Sequence, residues 1–512
     1  MKQTLALAIL DAGHSIFLTG PAGSGKTYVL NQFIKDARAD GKSVAVTAST
    51  GLAATHLGGN TIHSWAGIGI ADELHKKHVA DFSKSRREQI ENADILIIDE
   101  VSMLHDYRLD MVDQICRQVR GKLEVPFGGL QVILSGDFFQ LPPVNREESK
   151  QGSFVIGSKA WQELDPVICY LEEQHRQEDE ELLEILTALR SNDLRRRHAE
   201  TLLSRKITRT PFDDPVTELY TTNINVDSVN DAKLQAMEGE LHEYEMTSSG
   251  RKGAVESLKK SCLSPETLQL KKGAFVMFVK NSPEKKYVNG TLGTVVGFAP
   301  GTDYPIVETK NGRRIETKPD SWEMKDGEKK VASLSQIPLR LAWAITVHKS
   351  QGMTLDGAHV DLSRAFVSGM GYVALSRVKS LKSLTLGGLN RTALTMHEES
   401  YDIDDTLRIK SSKDAKRLAE LEEAYVENRN KRIEKRKTGT TKGSTSWQEK
   451  LDHMRAEYPN AYKPWKRIED ETLLNQWAAG KKIKELAKIL GRHDGSIRSR
   501  LKKHLGEDLF SK

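Results

Sequence analysis

The sequence GPAGSGKT at residues 20–27 decides the fold of this chain, because it has the spacing of a glycine-rich phosphate loop. An apolar β-type run, Ser15–Leu18, leads into it, and an unbroken helical pattern follows from Tyr28. In such a unit the backbone N–H groups of the loop turn toward a polyphosphate; the loop residues concerned are Gly20, Gly23, Ser24 and Gly25. Lys26 offsets phosphate charge, and the Thr27 hydroxyl can ligate Mg²⁺. The alternative is a glycine-rich turn that matches the pattern by accident.

Length and composition limit the class of protein. A chain of 512 residues is too long for one hydrophobic core, so we expect several compact units. It has 38% hydrophobic and 29% charged residues and no apolar run that could cross a bilayer. Three distant cysteines, Cys116, Cys169 and Cys262, indicate neither a disulfide framework nor a cysteine metal site. The first residues lack a signal-peptide cleavage pattern, so we expect a cytoplasmic protein of bacterial or phage type.

The first third of the chain alternates strand and helix patterns. Four short apolar runs punctuate it: Ser15–Leu18, Val44–Thr47, Ile95–Ile98 and Val132–Leu134. This alternation predicts an α/β domain over residues 1–166, in which helices cover both faces of a parallel sheet. A charged stretch at about 71–92 interrupts the pattern, and we interpret it as a small inserted subdomain.

A second strand and helix series predicts a second parallel sheet over residues 167–240 and 337–395. Its apolar runs start near Val167 and continue at 219–222, 339–346, 359–362 and 384–386. Between its parts, residues 241–336 contain short β-rich runs separated by glycines, which favours a small inserted β-barrel. We interpret residues 396–445 as a charged helix and linker, and 446–512 as a separate module.

Carboxylates and an amide follow two of the strands in the first sheet. Asp99 and Glu100 come directly after Ile95–Ile98, where parallel sheets hold ligands. Asp99 could bind Mg²⁺, and Glu100 could deprotonate an attacking water. Gln140 follows the next strand and could sense a γ-phosphate. The alternative is that the two acids only cap the following helix.

Two arginines in the second half follow short apolar stretches. Arg176 lies in EQHRQ at 173–177, and Arg377 ends YVALSR at 372–377. Such side chains can reach across a cleft between domains to charge on a γ-phosphate. A lone arginine is more often an ordinary surface charge.

Eight motifs in order, over about residues 1–390, resemble those of superfamily-one DNA helicases. They are the phosphate loop, TASTGLAA at 47–54, TIHSW at 61–65, IIDEVSM at 97–103, GDFFQLPPV at 136–144, QHRQ at 174–177, VHKSQGMT at 347–354 and YVALSR at 372–377. Within that superfamily the chain looks closest to the PIF (petite integration frequency) family of 5′-to-3′ helicases. The segment RQVRGKLEVPFGGLQ at 117–131 looks like a signature of that family.

The resemblance implies two RecA-like domains that hold ATP and Mg²⁺ between them. It assigns adenine to Gln3, the nucleotide and Mg²⁺ to Lys26, Thr27 and Asp99, and water activation to Glu100. It gives contacts with the γ-phosphate to Gln140, Arg176 and Arg377. It also implies a single DNA strand running along Thr50, Thr61, His63, Phe138, His348 and Lys349. Residues 71–92 would then be a wedge-bearing insertion and 241–336 an SH3-like subdomain. Because the chain begins near the glutamine motif, we expect no N-terminal regulatory domain.

The last part of the chain has the pattern of three helices. Apolar residues recur at helical spacing in 483–490 and 497–505, after a first helix from about Ile468 to Ala479. Residues 466–506 carry eleven basic and five acidic side chains. This looks like a helix-turn-helix or Myb-like module, and we expect Arg492, Arg498 and Arg500 to contact duplex phosphates. A solvated basic face in a protein-docking domain is the alternative.

The sequence therefore predicts an ATP-dependent DNA helicase that moves 5′ to 3′ on single-stranded DNA and unwinds duplexes, with single-stranded and forked DNA as its partners. We expect a monomer. Two alternatives stay open: a DNA-tethered ATPase switch that does not unwind, and a RecD-like motor subunit of a nuclease complex.

Overall fold

The fold was analysed in a computed structural model of the chain. It describes residues 1–69, 72–75, 78–145, 150–173, 179–207, 216–280, 282, 284, 286–287, 289–309, 311–326, 329–355, 357–439, 455, 458–461, 463 and 465–505. The chain divides into two units, Met1–Tyr425 and Val426–Lys512. Among the described residues, no helix is both long enough and apolar enough to span a bilayer.

Helices and strands are numbered in chain order. The helices are α1 (Gln3–Asp11), α2 (Lys26–Ala39), α3 (Gly51–His56), α4 (Ile62–Trp65), α5 (Lys84–Glu91), α6 (Asp106–Val119), α7 (Lys159–Leu164), α8 (Glu180–Arg190), α9 (Arg196–Ser204), α10 (Asn223–Gln235), α11 (Lys252–Ser261), α12 (Met370–Leu375), α13 (Glu398–Arg417), α14 (Glu420–Gly439), α15 (Arg467–Ala478), α16 (Ile483–Leu490) and α17 (Asp494–Leu505). The strands are β1 (Ile16–Thr19), β2 (Val44–Ala48), β3 (Asn60–Thr61), β4 (Ile95–Asp99), β5 (Gln131–Ser135), β6 (Val167–Tyr170), β7 (Thr217–Tyr220), β8 (His242–Glu245), β9 (Thr247–Gly250), β10 (Thr267–Leu270), β11 (Phe275–Phe278), β12 (Leu292–Phe298), β13 (Pro305–Thr309), β14 (Arg314–Glu316), β15 (Asp320–Asp326), β16 (Lys329–Gln336), β17 (Leu339–Leu341), β18 (Ala344–Thr346), β19 (Ala358–Leu362) and β20 (Leu384–Leu389).

The first parallel sheet has the strand order β3-β2-β4-β5-β1-β6. Its central strands are apolar along their length because helices bury both faces. The predicted domain boundary at residue 166 is wrong, since β6 pairs with β1 and places Val167 beside Ile16. An apolar run does not itself show which of two sheets it joins, because only its pairing partner decides that. The first sheet domain therefore extends past Tyr170.

The second parallel sheet has the order β18-β7-β19-β20 and confirms a second α/β domain. The predicted single run at 339–346 is two strands that belong to different sheets. Leu339–Leu341 pairs antiparallel with β11 of the inserted block, whereas Ala344–Thr346 pairs with β7. The predicted boundary at residue 337 is therefore a few residues too early.

The inserted block is β-rich, as predicted, and it consists of antiparallel sheets. A five-stranded sheet has the order β14-β13-β12-β11-β17, a three-stranded sheet the order β15-β16-β9, and β10 pairs with β8. The block also contains α11, which the sequence interpretation missed. In the earlier insertion, predicted at 71–92, the described residues form the helix Lys84–Glu91.

The sequence predicts residues 396–445 to be a charged helix and linker outside the sheet domains, but helix α13 packs on the first sheet. Its Asp414 carboxylate accepts a hydrogen bond from the Ile168 backbone N–H at 3.0 Å, and its Ser411 hydroxyl accepts one from the Tyr170 N–H at 3.1 Å. Both donors lie on β6, at the edge of the first sheet, where unpaired N–H groups would otherwise need water. The helix is thus an integral part of the first unit.

The C-terminal unit contains the three predicted helices, α15 to α17. Leu473, Leu486, Leu490, Ile497 and Leu501 form its buried core. Gly491 ends α16 in the left-handed conformation, with a φ of 59°, which allows the tight turn before α17.

Candidate nucleotide and DNA sites

The phosphate loop connects β1 to α2, as the motif requires. Gly20 has a φ of 138°, and a Cβ at this position would lie 2.4 Å from the carbonyl oxygen of Leu171. Gly25 precedes α2 with a φ of 89°. A side chain at either position would be strained or would collide with the backbone, so the loop requires glycine there.

Two polar side chains bind the backbone of this loop. Lys26 Nζ donates to the carbonyl oxygens of Gly20 and Pro21 at 2.7 and 3.1 Å. Burial lowers the pKa of Lys26, and the nearby carboxylates of Asp137 and Glu100 oppose that shift. Gln3, on α1, donates from Nε2 to the Ser24 carbonyl oxygen at 3.1 Å. The glutamine predicted to read adenine therefore lies against the phosphate loop.

Asp99 and Glu100 lie at the carboxyl end of β4, where the sequence predicted them. Glu100 has a φ of 53°, a conformation that a non-glycine residue adopts at some free-energy cost, and Ser49 Oγ donates to its carbonyl oxygen at 2.7 Å. Burial and the neighbouring Asp99 raise the pKa of Glu100 to about 7, while Lys26 and Arg377 oppose the shift. Burial also raises the pKa of Asp99. A carboxylate with a pKa near neutrality suits proton acceptance from water.

A cleft of about 350 Å³ brings the predicted residues of both sheet domains together. Its walls include Lys26, Thr27, Glu100 and Gln140 from the first domain and Arg377 from the second. Arg377 is only 1% exposed, and its guanidinium donates to carbonyl oxygens of its own domain. Arg176, the other predicted arginine, lies outside the described residues.

Sequence reasoning missed a buried ion pair behind the phosphate loop. Arg190 Nη1 lies 2.7 and 2.8 Å from the two carboxylate oxygens of Asp137. The Tyr372 hydroxyl accepts from Arg190 at 3.1 Å and from the Ala22 backbone N–H at 3.0 Å. Asp137 and Tyr372 belong to recognised motifs, but Arg190 lies in a helix without one, so only its pairing identifies it.

Sequence reasoning also missed a contact with Glu100. Gln351, which lies in the recognised VHKSQGMT segment, donates from Nε2 to Glu100 Oε2 at 3.0 Å. The motif predicted DNA contacts for this segment, through His348 and Lys349. No local signal in the sequence predicted that Gln351 would contact the nucleotide cleft.

A second cleft, of about 690 Å³, is lined by three of the residues predicted to contact DNA: Thr50, Thr61 and His63. Arg108 and Tyr107 also line it. Thr50 and Thr61 accept hydrogen bonds from backbone N–H groups one helical turn later, so they also serve as caps. Burial, Arg108 and His105 lower the pKa of His63 to about 4.

Phe138 does not belong to the DNA-facing surface, which corrects its predicted role. It is 4% exposed, and its ring packs against Phe17 and Phe154 with centroid distances of 5.4 and 5.1 Å. A phenylalanine next to motif residues can face either the core or a base, and the contacts of this ring with Phe17 and Phe154 place it in the core. By contrast Phe366 is 61% exposed and lies 6.5 Å from the His348 ring, a candidate that the sequence interpretation missed.

His348 and Lys349 lie together at the start of the second sheet domain's motif segment. Burial lowers the pKa of His348. Burial and Arg340 lower the pKa of Lys349, and Asp227 opposes that shift. Lys349 and Arg340 lie close enough for their charges to interact, and these two cations provide a local positive potential, which suits a phosphate backbone.

Comparisons with known proteins identify the family of this chain. Residues 1–188 match the family model described as PIF1-like helicase, and residues 255–298 match the one described as DNA helicase Pif1, 2B domain. The chain is 39% identical over 492 residues to the ATP-dependent DNA helicase Pif1 of Psychrobacter sp. (strain PRwf-1), with 85% of this chain and 74% of that protein covered. The chain belongs to the PIF1-like helicase family. As a member of this family it is an ATP-dependent DNA helicase.

Two solved structures of relatives match most of this PIF1-like helicase. The crystal structure of Bacteroides sp Pif1 in complex with ADP-AlF4 is 30% identical, with a TM-score of 0.69, and the match covers 80% of this chain and 97% of that one. The Bacteroides Pif1 helicase in complex with ADP-AlF3 and ssDNA is 31% identical, with a TM-score of 0.59, covering 80% and 96%. Both support the two-domain α/β fold.

The C-terminal unit of this PIF1-like helicase changes the assignment of one predicted arginine. Arg492 is 2% exposed; it pairs with Glu469 at 3.0 Å and stacks over the Trp465 ring. Arg500 donates to both oxygens of Asp470. Because Arg492 is buried, its charge is used inside the unit, which corrects the prediction that it binds phosphates. Arg500 is partly exposed beside Asp470, and its contact with duplex phosphates stays a prediction. Arg498 is exposed on α17, as a DNA contact requires.

Proposed function

We propose that this helicase moves 5′ to 3′ along single-stranded DNA and couples each step to hydrolysis of ATP with Mg²⁺ between its two sheet domains. The observation that carries the proposal is the cleft itself, since Lys26 and Glu100 of one sheet domain face Arg377 of the other. A nucleotide bound there would contact both domains, so its hydrolysis would change how they close.

The proposed roles at the nucleotide follow from the chemistry of each group. Gln3 would contact adenine, and the loop residues Gly20, Gly23, Ser24, Gly25 and Lys26 would surround the phosphates. Glu100 would accept a proton from the attacking water, and Gln140 and Arg377 would contact the γ-phosphate. Arg176 keeps the same proposed role, although it lies outside the described residues.

The donors available for Mg²⁺ are the Thr27 hydroxyl and the Asp99 carboxylate. Hard oxygen ligands of this kind fit Mg²⁺, which takes its remaining ligands from phosphates and water. No group of three or more histidine, cysteine or acidic residues that could hold a metal occurs in the described part of the chain, which agrees with a shared protein and phosphate site. When bound, Mg²⁺ would offset phosphate charge.

The proposed track for single-stranded DNA joins the two clusters outside the nucleotide cleft. Thr50, Thr61 and His63 would contact it on the first sheet domain, and His348 and Lys349 on the second. A strand that touches both domains would be displaced along its axis as they open and close. A relative, the Bacteroides Pif1 helicase, has been solved in complex with ssDNA, which supports binding of a single strand.

The C-terminal unit would bind duplex DNA through the outer face of α17, where Arg498, Lys502 and Lys503 are exposed. We further propose a monomeric enzyme, since one chain supplies both walls of the cleft. Its three cysteines are free, as a reducing cytoplasm would keep them.

Strand displacement by the purified full chain tests the proposal. Duplexes with a 5′ or a 3′ single-stranded overhang are compared under the same ATP and salt conditions. Displacement only from 5′ overhangs supports it. ATP hydrolysis without displacement would favour the tethered switch, and displacement only with a nuclease partner would favour the RecD-like motor.

A substitution tests the assignment of the base within the same assay. Glu100→Gln should bind ATP and single-stranded DNA yet lose most turnover, because an amide cannot accept the proton at neutral pH. Glu243→Gln, in β8 of the inserted block, is the matched control and should hydrolyse ATP as the parent does. Normal turnover by Glu100→Gln would contradict the role of Glu100.

A further inference from the structure

Gln351 connects the second sheet domain to the candidate base of the first. Its Nε2 donates to Glu100 Oε2 at 3.0 Å, although 251 positions separate the two residues. Gln351 is 6% exposed, so this hydrogen bond is shielded from water. It is a side-chain hydrogen bond from the second sheet domain directly to the Glu100 carboxylate.

The segment that carries Gln351 is held in place by the cleft arginine. Arg377 Nη1 donates to the carbonyl oxygens of Ser350 and Met353, at 3.3 and 3.2 Å, on either side of Gln351. The Gln351 backbone N–H donates to the His348 carbonyl oxygen at 3.3 Å. The backbone that carries Gln351 is therefore fixed by groups of the second domain.

The backbone of Glu100 is fixed separately by the first domain, through the hydrogen bond from Ser49 Oγ to its carbonyl oxygen. Lys26, Asp99 and Arg377 act on its carboxylate through charge. Charge alone leaves the carboxylate free to rotate, whereas a hydrogen bond with a defined direction does not. The hydrogen bond from Gln351 therefore adds a directional constraint to this carboxylate.

The other end of the Gln351 amide argues against a purely structural role. Its Oε1 is buried and has no hydrogen-bond partner in the part of the chain that the structure describes. A buried acceptor without a partner lowers stability, so this amide is not explained by stability alone.

We propose that Gln351 is a positioning residue that orients the Glu100 carboxylate toward the attacking water when the two sheet domains close. This inference rests on the proposed role of Glu100 as the base. It makes water activation depend on the second domain, in addition to any direct contact between Arg377 and the phosphates. Because His348 and Lys349 precede Gln351 in the same segment, a strand bound there would act on the same hydrogen bond.

Two substitutions in the full-length chain test the inference by separating turnover from binding. Gln351→Ala removes the donor, and Gln351→Glu keeps the size of the side chain but replaces the donor by an acceptor. At saturating single-stranded DNA, both should lower the kcat for ATP about 10–100-fold, the range typical of lost support for a catalytic group. The KM for ATP and the affinity for a fluorescent ATP analogue with Mg²⁺ should stay within about threefold.

Gln269→Ala is the matched control. Gln269 Nε2 also donates to a carboxylate, that of Glu243, at 2.8 Å, but within the inserted block. This variant should keep the kcat of the parent chain. Thermal unfolding of all variants shows that they are folded.

The possible results distinguish this inference from the role of Glu100. If Glu100→Gln is inactive but Gln351→Ala turns over normally, only the positioning role is overturned. Retained kcat in Gln351→Glu would mean that the side chain merely fills space, which also overturns it. Normal turnover by Glu100→Gln would overturn both assignments. Adding Gln351→Ala to Glu100→Gln should lower kcat no further, because the two groups act as one unit.

Discussion

Tyr372, in the second sheet domain, accepts a hydrogen bond from the backbone N–H of Ala22, inside the phosphate loop of the first, and 3.0 Å separates the two atoms. The same hydroxyl accepts from Arg190, which is paired with Asp137. The backbone of the proposed phosphate-binding loop is thus held by groups of both domains.

Tyr372→Phe should lower the free energy of unfolding by about 1–3 kcal/mol, since it leaves a buried N–H donor without an acceptor. Because that donor lies in the phosphate loop, we also expect weaker ATP binding. Urea denaturation and titration with a fluorescent ATP analogue measure the two effects. Tyr244→Phe, which removes a more exposed hydroxyl that binds the Asp303 carbonyl, is the control. Equal effects of the two substitutions would contradict the prediction.

Arg190→Met should destabilise the chain by about 3–5 kcal/mol, because it leaves the buried Asp137 carboxylate without its counter-charge. Arg190 is held entirely within the protein, between Asp137, Tyr170 and Asp404. Arg196→Met provides the comparison, since Arg196 forms an exposed pair with Glu200 on α9. Urea denaturation should leave that variant close to the parent chain. A small loss of stability for Arg190→Met would show that the buried pair is not required.

Stability should fall with acid partly because of His63. Its pKa in the folded chain is about 4, against 6.5 for the ordinary imidazole, so below pH 6.5 the unfolded chain binds the proton first. The folded state therefore loses stability as the pH falls from 6.5 to 4. His63→Gln should remove this loss, so its stability relative to the parent should rise by about 2 kcal/mol between pH 7 and 4.5. Urea denaturation at both pH values measures the change, and a difference that does not vary with pH would contradict it.

Phe366→Ala should weaken binding of single-stranded DNA by about 1–3 kcal/mol, the range for loss of one stacking contact with a base. It should leave the unfolding free energy nearly unchanged, because the ring is 61% exposed. Phe138→Ala should do the opposite and destabilise the core by about 3–5 kcal/mol while the folded protein keeps its DNA affinity. Fluorescence anisotropy with a labelled oligonucleotide, together with urea denaturation, tests both. If Phe138→Ala weakened DNA binding and Phe366→Ala lowered the unfolding free energy, Phe138 would be assigned to the DNA-binding surface after all.

Paired substitutions in α17 should reveal how the C-terminal unit uses its arginines. Arg498→Ala with Lys502→Ala should reduce the slope of log affinity against log salt for a blunt duplex by about one to two. Arg492→Met should instead destabilise the unit, since it breaks the buried pair with Glu469. An unchanged salt dependence in the first variant would contradict duplex binding by this face.

The candidate site residues at the carboxyl ends of the strands were predictable because their sequence signals are local. The phosphate loop, Asp99 and Glu100 each follow an apolar run directly, so sequence order alone puts them at one edge of a sheet. The assignment of strands to sheets was less predictable. Two ordinary apolar runs illustrate this: Val167–Tyr170 and Leu339–Leu341. Only their pairing, with β1 and β11 respectively, shows which sheet each strand joins.

Predictions of side-chain roles were wrong where the same residue type occurs both in the core and at a binding surface. Phe138 and Arg492 look like contacts for a base and a phosphate, yet both are buried, one among aromatic rings and the other beside Glu469 and Trp465. Burial depends on what the rest of the chain packs against such a residue, and a local pattern does not contain that information.

By itself the sequence determined the two α/β domains, the family and most residues of the nucleotide cleft, because these depend on periodicity and on motifs of a few adjacent residues. Only the tertiary structure decided which groups meet across that cleft. Gln351 contacts Glu100, and Tyr372 contacts Ala22, because folding brings the two sheet domains together. In each pair the two residues are hundreds of positions apart in the sequence. Hydrogen bonds act over about 3 Å, so their partners are set by packing in space and not by spacing along the chain.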